Sequence, residues 1–284
     1  MVITSHAGHN PDGKIACGAV GLIKESTEAR NVNTKVISLL KAADYTAYDC
    51  TVDDGTSQSD VLAKIVAKCN AIINTELNIS IHFNAGASDL TGNGVTTGTE
   101  VYVYSPASPA KSYAEAICKR ISELGYKNRG VKYSTSLAVL KNTNKPTLLV
   151  ECCFVDDADD IRLYNADIMA RAIAQGILDV AGGAIKEENI TTGEWLRAAD
   201  GVRWWYRFNG DNNNYAKGDF YNINGYRYLF DEDGYMLTGL VLWNGERYLL
   251  APEQNSNEGK LMKTTDSKGY AVEFVTVDSA FKKG

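Results

Sequence analysis

The sequence predicts an α/β domain, with a central, mostly parallel sheet flanked by helices, followed by an all-β domain of stacked β-hairpin repeats. Three observations lead there. Through residue 182, short apolar runs alternate with longer segments of helical period, the pattern of strands covered by helices. Every cysteine and histidine lies before residue 155, whereas all four tryptophans follow residue 190, a shift that marks two cores of different chemistry. Beyond Trp195, the turn dipeptides Asp200-Gly201, Asn224-Gly225 and Asn244-Gly245 each precede an aromatic run.

In chain order, strands are expected at 2–8, 46–52, 77–84, 98–104 and 146–154. Helices are expected at about 25–43, 57–74, 108–124 and 162–181, with Ser57 or Ser59 capping the second and Gly125 ending the third. Alternation along 77–84 puts Leu77, Ile79, Ile81 and Phe83 on one face and Asn78, Ser80, His82 and Asn84 on the other. Residues 1–182 thus make one domain, and the small, polar and charged stretch 183–194 reads as a linker. From 195 to 284, the segments DGVRWWYRF, NGYRYLF and NGERYLL recur with glycines at 201, 225 and 245, and SKGYAVEF gives a weaker fourth unit. A hairpin of about 20 residues cannot bury its aromatic face alone, so stacking into a β-solenoid is expected.

Bulk properties exclude several classes. The 284 residues carry 29 Lys and Arg against 35 Asp and Glu, for a formal charge of -6. No basic face for nucleic acid is expected. No apolar run reaches the roughly 18 residues that would suggest a membrane span. The amino terminus enters a strand-like VITSHAG without a basic and apolar leader, so no signal peptide and cytoplasmic synthesis are expected. Cysteines 17, 50, 69, 118, 152 and 153 read as reduced thiols.

Three polar residues interrupt or end apolar strands: His9 in MVITSHAGHN, His82 in NISIHFNA and Glu151 in PTLLVECCFV. Burial of such groups without partners costs several kcal/mol. A shared divalent metal with a water to activate answers that cost economically. Both histidines fall at carboxyl ends of strands, where open α/β sheets hold ligands. His6 lies an odd number of residues from His9, so strand alternation turns it to the opposite face, in a supporting role. Glu25 and Glu28, three apart at the start of a helix, both remain open as a third ligand, although first-turn acids also arise simply from the helix dipole. Cys153, on the face expected for Glu151, and Cys17 form a rival set.

In order and spacing, GHNPDG, a glutamate opening the first helix, SIHFNAG and PTLLVECCF resemble the zinc-dependent N-acetylmuramoyl-L-alanine amidases of the amidase-3 family, over about residues 1–182. The resemblance implies zinc held by His9, Glu25 and His82, with Glu151 as catalytic acid/base. Glu25 rather than Glu28 follows because the family's helix ligand lies about 19 residues before the turn at Asp44. It implies hydrolysis of the amide joining N-acetylmuramic acid to L-alanine in peptidoglycan. Two positions depart from the family pattern: His6, where an acid is common, and Asn10, where glycine is usual.

The aromatic units resemble the choline-binding or glucan-binding repeats of wall lysins, although the Gly-Trp pair is degraded at Gly218-Asp219 and Gly239-Leu240. That resemblance implies a cell-wall polymer as partner, a choline-bearing teichoic acid or a glycan. Trp204, Trp205, Tyr228 and Trp243 are the expected ligand-facing rings, through cation–π contact or sugar stacking. Solenoids of this kind often pair into homodimers. Together the two resemblances imply a phage endolysin or an autolysin, made in the cytoplasm and released to the wall. The alternatives are a non-catalytic wall-binding protein and a zinc peptidase acting on wall peptides.

Overall fold

The computed structural model describes residues 1–185, 189–190, 192–208, 214–224, 226–243, 246–251, 259–265 and 271–274, with backbone alone at 189–190, 246–247, 261–265 and 271–274. The chain divides into two compact units, Met1–Lys186 and Glu187–Gly284. Among the described residues, no helix is long and apolar enough to cross a membrane.

The first unit contains β1 (Val2–Ala7), α1 (Glu25–Ala42), β2 (Thr46–Asp49), α2 (Gln58–Ala71), β3 (Leu77–Asn84) and β4 (Thr99–Val103). It continues with α3 (Lys111–Ser122), β5 (Asn128–Tyr133), α4 (Ala138–Asn142), β6 (Thr147–Phe154), α5 (Ala158–Leu163) and α6 (Ala166–Ala181). Its six strands form one sheet in the order β2-β1-β3-β6-β4-β5. β4 runs antiparallel to β6 while the other neighbours are parallel, so the sheet is mixed. That reversal brings the starts of β4 and β5 to the edge where β1, β3 and β6 end.

Helices cover both faces. Leu77, Ile79, Ile81 and Phe83 face the larger core, with Val32, Val36 and Leu40 of α1, Ile117 and Ile121 of α3, and Ile173 and Ile177 of α6. Each such burial contributes about 1.5–3 kcal/mol. On the other face, Leu149 packs with Val61, Ile65 and Cys69 of α2 and with Val139 and Leu140 of α4. The polar side chains of this second face are paired in register: Thr4 donates to Asn78, and Asn78 Nδ2 donates to Thr147 Oγ1 at 2.9 Å.

Several elements differ from expectation for local reasons. β2 stops at Asp49 because its carboxylate accepts from Thr51 N–H and Oγ1–H, an Asx turn that ends the strand. Ser57 is the cap of α2, accepting from Asp60 N–H at 3.2 Å. The helix expected at 162–181 is two, since Asn165 caps α6 by accepting from Asp167 and Ile168 N–H. β5 and α4 were not expected; Asn-Arg-Gly-Val-Lys-Tyr is a half-exposed edge strand without apolar alternation.

The second unit contains β7 (Asn189–Ile190), β8 (Gly193–Arg197), β9 (Trp204–Phe208), β10 (Phe220–Ile223) and β11 (Tyr226–Leu229). It also contains β12 (Gly239–Trp243), β13 (Glu246–Leu250), β14 (Leu261–Thr265) and β15 (Ala271–Phe274). Stretch 183–194 therefore includes β7 and the start of β8. Hairpins form where the turn dipeptides indicate: β8 pairs β9, β10 pairs β11 and β12 pairs β13, all antiparallel. Gly201 and Asn224 supply the left-handed backbone, φ 69° and 51°, at the first two turns, and residues 244–245 lie outside the described residues. Among the described residues the strands fall into sheets of two, three and four, so the hairpin units are not equivalent. Most of SKGYAVEF lies outside the described residues, and its described part is β15.

Candidate metal centre

The site forms at the edge where β1 and β3 end and α1 begins. β1 finishes at Ala7, and Gly8 N–H still donates to Ile81 of β3. His9 then takes a left-handed backbone, φ 66°, a strained conformation for a residue with a side chain. Arg30 of α1 holds that turn by donating to the His9 carbonyl at 2.9 Å. Asn10 is buried and fully paired, donating to the carbonyls of Ile15 and Gly55 and accepting from Gly55 N–H. The residue that departs from the family's glycine thus staples two loops beneath the site.

Glu25, the first residue of α1, is buried and brings its carboxylate between the two imidazoles. Its Oε1 stands 2.9 Å from His82 Nδ1 and 3.1 Å from His9 Nε2, and its Oε2 accepts from Ala19 N–H at 2.8 Å. The rings of His9 and His82 meet edge to face at 4.9 Å. Burial works against ionisation of Glu25, but hydrogen bonds from His82 and His9 outweigh it and hold the carboxyl far below the usual range. Burial keeps His82 below its ordinary pKa against the pull of Glu25, which favours the neutral ring a metal needs. Glu28 goes elsewhere: its Oε2 accepts from Tyr164 O–H at 2.8 Å.

Two glycines clear the space. A Cβ on Gly8 would sit 2.0 Å from the His82 ring, and one on Gly18 would sit 2.5 Å from Glu25 Oε2. The donor set fits zinc. Ligands about 2.0–2.1 Å from a tetrahedral ion lie roughly 3.3 Å apart, and His9, Glu25 and His82 offer atoms all within 4.8 Å of one another.

Glu151 on β6 is the register partner of His82 and, across the antiparallel pair, of Glu100 on β4. Its Oε2 is buried and has no hydrogen-bond partner. Burial, then the charges of Glu25 and Glu100, push its pKa well above the carboxylate range. The expectation that Cys153 shares the face of Glu151 fails. A register shift between His82 and Asn84 sends both Cys152 and Cys153 into the larger core. His6 also departs from expectation. The strand ends before His9, so alternation does not relate the two. His6 is buried with Nδ1 3.9 Å from Cys69 Sγ, and it lines a cavity of about 30 Å³ together with Gly8, His9 and His82.

Sequence reasoning missed Glu100 and Arg129. Glu100 is 3% exposed; it accepts from Asn84 Nδ2 and Tyr102 O–H at 2.9 Å and from Arg129 Nε at 2.8 Å. The signal was available, a carboxylate inside the apolar strand TEVYV. The aspartates of FVDDADD were also missed. Asp156 accepts from Gly86, Ala87 and Ser88 N–H, Asp159 from Asn93 and Gly94, Asp157 from Thr97, and Asp160 from Gly98. They pin the loop between β3 and β4 beside His82. Asp89, Asp157 and Asp159 could also group around a cation by distance, but each accepts donors from this loop or from α5.

The sequence profile of the N-acetylmuramoyl-L-alanine amidase family, Amidase_3, matches residues 1–181. The chain belongs to that family. An uncharacterized protein of Clostridium perfringens is 34% identical over 182 residues, covering 62% of this chain and 51% of that protein. The endolysin of Bacillus phage SPP1 is 34% identical over 178 residues, 60% of either chain. The chain thus spans about half to three fifths of the length of these relatives. Among solved structures, the catalytic domain of CwlV, an N-acetylmuramoyl-L-alanine amidase of Paenibacillus polymyxa, superposes with a TM-score of 0.52 at 26% identity, covering 65% of this chain and 99% of that one.

In the second unit, the four rings expected to face a ligand are placed differently from one another. Tyr228 is 6% exposed and packs the core at 4.8 Å from Trp195. Trp204 is half-buried beneath the Arg197 guanidinium, 4.4 Å away. Trp205 meets Tyr215 edge-on at 5.0 Å, and Trp243 packs against the Leu229 and Leu250 cluster.

Proposed function

We propose that residues 1–182 form a zinc-dependent peptidoglycan amidase that cleaves the bond between N-acetylmuramic acid and L-alanine. The observation that carries this is the buried Glu25 oxygen shared by two imidazole nitrogens, with a partnerless carboxylate one strand away. His9, Glu25 and His82 would hold the ion. When bound, zinc supplies Lewis acidity, polarising a carbonyl and making a water acidic near neutral pH. Glu151 Oε2 takes the proton of the attacking water and returns it to the departing nitrogen, which leaves as an amine.

Beyond residue 194, the aromatic unit holds the enzyme on a wall polymer, a choline-bearing teichoic acid or a glycan, with half-buried Trp205 and Trp204 as contact rings and pairing into homodimers. Similarity to a phage endolysin supports an enzyme made inside the cell and acting on the wall after release. Mass spectrometry of purified peptidoglycan treated with the full chain tests the reading. New L-alanine amino termini are expected. Chelator should abolish them, and Glu151→Ala should lower the rate by about 10²–10⁴-fold, the usual weight of general acid–base catalysis. New reducing sugars, or undiminished cleavage by Glu151→Ala, would discard it.

A further inference from the structure

A row of ionisable side chains crosses the sheet from the metal centre to its edge. His82 on β3 is in register with Glu151 on β6, Glu151 with Glu100 on β4, and Glu100 is bonded to Arg129 on β5. Glu100 is saturated: one oxygen takes Asn84 and Tyr102, and the other takes Arg129 Nε. Arg129 is not. Its guanidinium lies 5.0 Å from the Phe154 ring centroid, its side chain is 31% exposed, and its two terminal nitrogens have no partner among the described residues. A guanidinium fixed through Nε and backed by a ring presents its fork in one direction, the geometry that receives a carboxylate in two hydrogen bonds.

We infer that Arg129, oriented by Glu100, binds a carboxylate on the peptide of the substrate, two to three residues beyond the cleaved amide. The distance follows from the sheet. Glu100 holds the guanidinium over β4, two strand spacings or about 10 Å from β3, which carries His82, and an extended peptide covers that in about three residues at roughly 3.3–3.6 Å each. The inference rests on the amidase reading, and it makes the cleft read an extended acidic peptide rather than the amide alone.

Synthetic N-acetylmuramoyl tripeptides test it, with the second- or third-residue carboxylate free or converted to its amide. With the unmodified chain, amidating one of these should raise KM about 10–100-fold, the weight of one charge-assisted pair, with kcat changed far less. Arg129→Ala should raise KM for the acidic substrate by a similar factor and should no longer distinguish it from the amide, while Arg129→Lys keeps part of the discrimination. Equal KM for acid and amide with the unmodified chain, which needs no variant to fold, would overturn the inference. So would an Arg129→Ala loss that falls equally on both substrates. Calorimetric binding of the free tripeptides separates the two readings. If no substrate is cleaved but the acidic tripeptide still binds more tightly in an Arg129-dependent way, the amidase reading fails and the carboxylate site stands; if no such preference exists, the carboxylate site fails as well.

Discussion

The two units bury different things. The first encloses carboxylates and surrounds most of them with directed donors: Glu100 with three, Asp157 with the N–H groups of Thr97, Asp159 and Asp160, and Glu25 with two imidazoles and the N–H groups of Ala19 and Phe83. The second encloses rings. Trp195 meets Tyr206 and Tyr228 edge-on and stacks on Phe230, and cations lie over rings, as with Arg203 on Tyr235 at 3.7 Å. Hydrogen bonds to a charge fix atoms within tenths of an ångström, whereas ring contacts are satisfied over a range of angles. The first unit therefore holds its polar atoms in fixed places, and Glu151 Oε2 is an acceptor left open beside the satisfied carboxylates of Glu25 and Glu100.

Breaking each kind of contact separates them. The largest effect is expected from Asp157→Ala, which strips the cap of α5 and leaves several buried N–H groups unpaired. A loss of about 3–4 kcal/mol is expected in urea unfolding followed by far-ultraviolet circular dichroism. Trp195→Ala should cost the second unit less, about 2–3 kcal/mol, because the ring is only half-buried and its neighbours can close in. All four tryptophans belong to that unit, so tryptophan fluorescence reports it selectively.

Acid sharpens the comparison further, with a smaller effect. Burial disfavours the charge on Asp156 and Asp159, yet N–H donors from the loop hold both pKa values below the ordinary aspartate value. Their contribution is complete above the unfolded pKa near 4 and is lost as pH falls through the lower folded values. Asp160 has the opposite sign: burial raises it to about 6 against donors from Phe154 and Gly98, so lowering pH from 7 toward 4 stabilises the fold at that residue. Hydrogen exchange at Gly86, Ala87 and Ser88 should therefore stay slow to about pH 4 and accelerate below it. Acceleration already at pH 6 would contradict the assignment of these aspartates as pins.

Much of the first unit was legible because its strands are apolar runs and its site residues are the polar exceptions within them. β3 and β6 were readable on that ground, as were His82 and Glu151. Glu100 obeys the same rule and escaped notice because its strand is short and ends in Tyr-Val. β5 carries no alternation, so Arg129 was invisible until the sheet was closed around it. Glu25 and Glu28 share a helix face, and spacing alone left them equal; the burial of one and the Tyr164 contact of the other are tertiary facts. In the second unit, Asn-Gly and Asp-Gly turns announced the hairpins, but how strands sort into sheets depends on partners far along the chain.

Gly8 carries one more consequence. A methyl there meets the His82 ring rather than the backbone of a neighbouring strand, so the imidazole can swing away while the sheet stays intact. Selection of variant libraries for heat resistance alone would pass such chains as healthy, although the His82 ring had left the Glu25 carboxylate.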